Sequence, residues 1–118
     1  PSILEKDIDK YINNPLNMFS PYMAISFSTK SKALEEFSAA IHPADKTMRV
    51  QMVRKEWNPT YHKLIELFKN QTDIPGILNT SLNLHGEPNV HYPKDALKTL
   101  VRSKLDYLAI GDFLVKRI

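Results

Sequence analysis

Hydrophobic periodicity along this chain switches repeatedly between the 3.6-residue spacing of a helix and the two-residue alternation of a strand, which points to an α+β architecture. Asn58 followed by Pro59 marks the sharpest boundary. An Asn side chain accepts free N–H groups of a first turn and proline is pre-set for the first helical position, so the pair starts a helix whose Tyr61, Leu64, Ile65 and Phe68 form an apolar stripe. Leu4, Ile8, Tyr11 and Ile12 predict an earlier helix that stops before Asn13-Asn14-Pro15, followed by an exposed loop from Asn13 to Ser20. A short helix is expected through Ala33, Leu34 and Phe37. Met23, Ile25 and Phe27 alternate with Tyr22, Ala24 and Ser26 as in a strand, and a second strand is expected from Met48 to Val53. Ile74 to Leu78 reads as a short buried strand and Pro93 to Ser103 as a helix. Leu105 to Ile110 and Phe113 to Ile118 read as strands joined at Gly111-Asp112. No internal repeat or low-complexity tract interrupts this pattern.

Two places carry chemistry. Residues 76 to 92 crowd short hydrogen-bonding side chains into a turn-rich segment after an apolar run: Asn79, Thr80, Ser81 and Asn83 offer amides and hydroxyls, and Gly86 and Pro88 bracket Glu87. Such a segment is either a capped connecting loop or a ligand loop. In the strand from Met48 to Val53, Arg49 and Gln51 project from one face while Met48, Val50 and Met52 project from the other. A guanidinium on a rigid strand can grip a phosphate or carboxylate through two parallel hydrogen bonds, and a neighbouring glutamine can read an amide or carbonyl. The wet face of a half-exposed strand would look the same.

Composition narrows the classes. At 118 residues and 42% hydrophobic content, the chain can bury one modest core. It has no initiator Met, no secretory signal and no apolar run near the ~20 residues that span a bilayer, so a soluble cytoplasmic protein, or a piece of one, is expected. Absence of cysteine excludes disulfides and thiolate metal sites. The balance of 16 basic against 13 acidic residues is only +3, too small to mark a nucleic-acid protein. Arg49, Arg54 and Lys55 nevertheless cluster, and Lys94, Lys98 and Arg102 repeat along one helix face opposite Ala96, Leu97, Leu100 and Val101. Either set could attract phosphates, although the helix lysines fit a solvated face. The four histidines match no common ligand spacing and are read as non-ligands, with His42 supporting the Arg49 strand.

Asn79-Thr80-Ser81-Leu82-Asn83, Gly86-Glu87-Pro88, Tyr92-Pro93-Lys94-Asp95-Ala96-Leu97 and Leu105-Asp106-Tyr107-Leu108-Ala109-Ile110-Gly111 together resemble the C-terminal domain of the O-carbamoyltransferases that modify nodulation factors and antibiotics. Pro1-Ser2-Ile3-Leu4, Ser20-Pro21-Tyr22-Met23 and the block from His42 to Gln51 continue the resemblance almost end to end. Leu82 stands where the family usually has Phe. The resemblance implies a YrdC-like fold, a twisted mixed sheet with flanking helices, of which residues 1–118 are a C-terminal part. It also implies that carbamoyl phosphate and ATP, with magnesium, yield a carbamoyl adenylate, which an N-terminal transferase domain carrying its own metal uses to modify a hydroxyl of a small molecule. By this likeness Arg49 contacts phosphate and Asn79 opens the ligand loop, so these two are the candidate catalytic residues. Gln51, Thr80, Ser81, Asn83 and Glu87 join them as candidate substrate- and nucleotide-binding residues, and no metal ligand is assigned. Relatives carry a basic, glycine-rich segment upstream of the position of Pro1, so the chain alone is expected to hold part of the phosphate site, to catalyse little, and to self-associate through exposed sheet edge. A noncatalytic nucleic-acid-binding module and a partner-docking domain are the competing readings, the first disfavoured because aromatic residues do not interleave with the basic ones.

Overall fold

A computed structural model describes all 118 residues, and the chain divides into two compact units, Pro1–Asn79 and Thr80–Ile118. The class is α+β. In the first unit, β1 (Ser2–Leu4) is wholly buried because it is the central strand of a three-stranded mixed sheet. It runs parallel to β4 (Gln51–Val53), with Ser2, Ile3 and Leu4 opposite Gln51, Met52 and Val53, and antiparallel to β5 (Gly76–Ile77), with Ser2 opposite Ile77 and Ile3 opposite Gly76. A short ladder of β2 (Ser26–Ser28) and β3 (Thr47–Arg49) stands beside this sheet as a separate pairing.

Side-chain alternation divides the three-stranded sheet into two faces. Ile3 and Met52 join Ile8, Tyr11, Phe27 and Met48 in the main core. Leu4 and Val53 belong to a smaller cluster closed by Ile65 of α2 (Pro59–Thr72), with Tyr61 and Ile77 packed against it. Helix α2 begins where the Asn58–Pro59 pair predicts: the Asn58 Oδ1 accepts from the Tyr61 N–H at 3.1 Å. It ends at Asp73 in the left-handed conformation, φ 65°. Asn58→Ala should cost about 1 kcal/mol of stability by orphaning that N–H, a loss readable as a lowered urea midpoint.

Several elements differ from the periodicity reading. Leu4 and Ile8 do not share a helix: Leu4 is in β1, and a 3-10 helix occupies only Glu5–Lys10. The i, i+4 spacing is shared by two residues that serve different core clusters. The strand expected over 48–53 breaks at Val50, because its halves pair with different partners, β2 and β1. Met23 takes a left-handed φ of 54°, which ends the alternation and leaves only Ser26–Ser28 as strand. In α2, Ile65 and His62 are buried while Leu64 is about half exposed and Phe68 a little over a third exposed.

The first unit is also tied by ion pairs that no local pattern announces. Asp7 is buried and accepts from Lys10 Nζ at 2.7 Å and from Lys69 Nζ of α2 at 2.8 Å. Glu5 holds the Arg54 guanidinium through both oxygens, Nε at 2.6 Å, and that guanidinium lies 3.8 Å over the Phe19 ring. The Tyr11 hydroxyl donates to Glu36 of α1 (Ser31–Glu36) at 2.6 Å. Burial, then this bond, pushes the Tyr11 phenol well above its ordinary pKa.

The second unit is α3 (Pro93–Ser103) with the hairpin of β6 (Tyr107–Ile110) and β7 (Phe113–Lys116), which turns at Gly111, φ 56°. Both strands are shorter than expected at their outer ends. Ala96 and Leu100 pack on Leu108, with Leu82, Val90, Ile110 and Val115 around them. Thr99 is buried beside Leu100, whereas Leu97 and Val101, expected on the apolar face, are exposed. No helix is long and apolar enough to cross a membrane.

Candidate functional site

The mixed sheet brings together three side chains from distant points in the sequence. Because Ser2 lies opposite Gln51 in the parallel pair and opposite Ile77 in the antiparallel one, Ser2, Gln51 and Ile77 share a face, and Asn79 follows two residues beyond Ile77. Ser2 Oγ donates to Gln51 Oε1 at 2.6 Å. Asn79 Nδ2 donates to Ser2 Oγ and to Gln51 Oε1, both at 2.9 Å. These bonds close a triangle: the two acceptors lie 2.6 Å apart, so one Asn79 N–H is shared between them, and Gln51 Oε1 accepts from both Ser2 and Asn79. The Gln51 NH2 and the Asn79 carbonyl oxygen have no protein partner, and since no buried side-chain polar atom is left unsatisfied, both face accessible space.

Arg49 ends β3 two residues before Gln51, roughly 7 Å along an extended chain. Its side chain is exposed. Of the four arginines, Arg54, Arg102 and Arg117 each engage a carboxylate, on Glu5, Glu87 and Asp106 respectively, and Arg49 engages none. The approach to β3 is held by its own turn: the His42 N–H donates to the Thr47 carbonyl at 2.8 Å, and Asp45 Oδ1 accepts from the Thr47 N–H at 2.9 Å and hydroxyl at 2.8 Å. Those two Thr47 bonds, backbone first, hold the Asp45 carboxyl below its ordinary range. The His42 ring, though exposed, also sets its Nδ1 3.3 Å from that Asp45 Oδ1, so His42 supports the approach to β3 through both its backbone and its side chain.

The rest of the loop behaves differently. Thr80 is exposed and its hydroxyl meets no side chain. Ser81 donates to Asn83 Oδ1, and Asn83 Nδ2 donates to the Glu87 carbonyl at 2.7 Å, closing the turn in which Gly86 takes φ 82°. The Glu87 carboxylate accepts from Arg102 Nη1 of α3 at 2.6 Å, which ties the loop to that helix by an ion pair. Ser81, Asn83 and Glu87 therefore form a local network in the second unit, while Asn79 and Gln51 converge in the first. Arg54 and Arg102, read from sequence as members of phosphate-attracting clusters, are instead occupied by Glu5 and Glu87. Ser2 was the residue that sequence reasoning missed. Its signal, a lone serine inside a buried apolar strand, is visible but points to no partner.

Two clefts lie elsewhere. One of about 250 Å³ runs along β5 and is lined by Phe37, Phe68, Ile74 and Leu78; another of about 320 Å³ in the second unit is lined by Glu87, His91, Lys98 and Arg102. Neither is lined by Arg49, Gln51 or Asn79. No three His, Asp or Glu side chains converge to hold a metal ion.

Comparison with known proteins matches residues 1–117 to the family described as Carbamoyltransferase C-terminus. A protein of Methanocaldococcus jannaschii described as uncharacterized is 38% identical over 118 residues, which cover 100% of this chain and 22% of that protein. Nodulation protein NolO of Bradyrhizobium diazoefficiens is 35% identical over 118 residues, covering 99% of this chain and 21% of NolO. The 3'-hydroxymethylcephem-O-carbamoyltransferase of Amycolatopsis lactamdurans is 31% identical over 78 residues, 66% of this chain and 15% of that enzyme. The chain thus spans about a fifth of the length of the first two relatives. With its family profile matched over nearly every residue, this chain belongs to the carbamoyltransferase C-terminal domain family.

Proposed function

We propose that this chain is the part of a carbamoyltransferase that helps bind carbamoyl phosphate and ATP and form carbamoyl adenylate, for transfer to a hydroxyl of a small-molecule acceptor by an N-terminal transferase domain. The observation that carries this reading is a free amide donor on Gln51 beside a free amide acceptor on Asn79; Arg49, two residues before Gln51 in the chain, is the arginine that engages no carboxylate. A carbamoyl group has a carbonyl that accepts and an NH2 that donates, and the phosphate attached to it suits a guanidinium. Family membership and the carbamoyltransferase named among the relatives support the same chemistry.

In this scheme water cleaves carbamoyl phosphate to carbamate and inorganic phosphate. A carbamate oxygen then attacks the α-phosphorus of ATP, the bond to the β,γ-phosphates breaks, and pyrophosphate leaves. The acceptor hydroxyl later attacks the carbamoyl carbon and AMP departs. The demands on the protein are electrostatic and positional: to offset crowded phosphate oxygens and hold the reactants in line. Arg49 serves the first, and Gln51 with Asn79 the second. No nucleophilic side chain is needed, so Thr80 and Ser81 have no covalent role. Magnesium belongs in this scheme to the triphosphate rather than to a protein-built cage.

In the complete polypeptide, Arg49→Ala and Asn79→Ala should each lower carbamoyl-phosphate-dependent release of pyrophosphate from ATP by roughly a hundredfold, with circular dichroism unchanged. Release at the parental rate from folded variants would overturn the assignment.

A further inference from the structure

We infer that Ser2 is a positioning residue that locks Gln51 and Asn79 in opposite orientations, so that the site accepts a carbamoyl group and discriminates against an acetyl group of the same shape. This inference rests on the proposed carbamoyl phosphate site and adds to it the device that sets its selectivity. Ser2 is fully buried, on the central strand, with its hydroxyl 2.6 Å from Gln51 Oε1 and 2.9 Å from Asn79 Nδ2.

A hydroxyl carries one proton. It can donate to one amide oxygen and accept from one amide NH2, but it cannot satisfy two inward-facing oxygens. The direct contact between the amides, 2.9 Å from Asn79 Nδ2 to Gln51 Oε1, imposes the same rule. If both amides were turned over, every bond in the triangle would reverse and still be made. In either arrangement one amide shows its donor outward and the other its acceptor, so the conclusion does not depend on which oxygen and nitrogen assignment is chosen. What the triangle forbids is two donors or two acceptors facing the ligand.

A carbamoyl group answers this edge with a carbonyl for the donor and an NH2 for the acceptor. Acetyl phosphate keeps the carbonyl but puts a methyl group against the amide oxygen, which loses its water and gains no bond. Without the Ser2 hydroxyl, a single hydrogen bond would join two half-exposed amides, and such a bond competes with water on nearly equal terms. Each amide would then turn independently, and the edge would lose its fixed order of donor and acceptor.

The test is calorimetric titration of the complete polypeptide with carbamoyl phosphate and with acetyl phosphate, in the parent and in Ser2→Ala and Ser2→Thr. The parent should favour carbamoyl phosphate by about tenfold or more. Ser2→Ala should reduce that ratio several-fold, and Ser2→Thr, which keeps a hydroxyl, should restore it. Because a ratio of dissociation constants does not depend on the folded fraction, partial unfolding of a variant cannot imitate the result. An unchanged ratio in Ser2→Ala, with binding still lost in Arg49→Ala, would overturn the role of Ser2 and leave the carbamoyl phosphate site standing. Failure of the complete parent polypeptide to bind either phosphate would sink both.

Discussion

Replacing Asp7 by Ala should remove about 3 kcal/mol of folding stability, the lower end of the cost of breaking a buried ion pair by deleting one partner. The lower end applies because the stranded cations are not fully enclosed: the side chains of Lys69 and Lys10 keep 28% and 56% of their exposure, against 4% for Asp7. Water can therefore recover part of what the carboxylate supplied. Asp7→Asn keeps an acceptor without the charge and should cost less than Asp7→Ala. Urea denaturation at neutral pH, comparing midpoints at unchanged slope, measures both.

The same residue sets the direction of the acid response. Burial raises the Asp7 carboxyl, but the hydrogen bonds and charges of Lys10 and Lys69 together prevail, so its folded pKa lies below the ordinary 3.8. A carboxyl with a depressed folded pKa contributes its full stability above the unfolded value and loses it as the pH falls through the folded value. Glu36, held down by Tyr11 and Lys32 against its own burial, and Asp45 act in the same sense. The parent should thus lose stability below pH 3.8 and downward, and Asp7→Ala should show a shallower loss over that window. Equal slopes in the two proteins would contradict the role given to Asp7.

How much of this was legible in the sequence depends on the range over which each signal acts. Asn58–Pro59, the helix at Pro93–Ser103 and the turn at Gly111 are encoded by neighbours, and each appears where local chemistry puts it. The split of 48–53 at Val50 was illegible because it reflects partners and not propensity: Met48 and Met52 are both buried, on strands that pair in different ladders. Asp7 and Lys69 are 62 residues apart and Ser2 and Asn79 are 77 apart. Nothing in the spacing of either pair announces the contact. The candidate site was half legible for the same reason. Arg49, Gln51 and Asn79 stand out as polar groups in apolar or turn-rich surroundings, but the order that Ser2 imposes on Gln51 and Asn79 exists only once β1 lies between β4 and β5.

That dependence of site on sheet is most exposed at Gly76. A Cβ added there would lie 2.8 Å from Ile3 Cγ1, 2.8 Å from the Ser2 carbonyl oxygen and 2.9 Å from Phe37 Cζ. The need for glycine is one of space, because β5 packs against both the backbone of β1 and an aromatic ring of the main core. Gly76→Ala should therefore cost roughly 1–3 kcal/mol, the usual penalty for overpacking, and Gly76→Val more. The strain cannot be relieved by side chains alone: Phe37→Leu would withdraw the ring, yet the Ser2 oxygen belongs to the central strand and can yield only if β5 moves away from β1. Such a movement carries Asn79, two residues past β5, out of reach of Ser2 and Gln51. On the proposed carbamoyl phosphate site, Gly76→Ala should consequently lose affinity for that ligand even at temperatures where circular dichroism shows it folded, and adding Phe37→Leu should not return that affinity. Full recovery of binding in the double variant would mean that the ring alone sets the position of β5, and that Asn79 is held by something other than its alignment with Ser2.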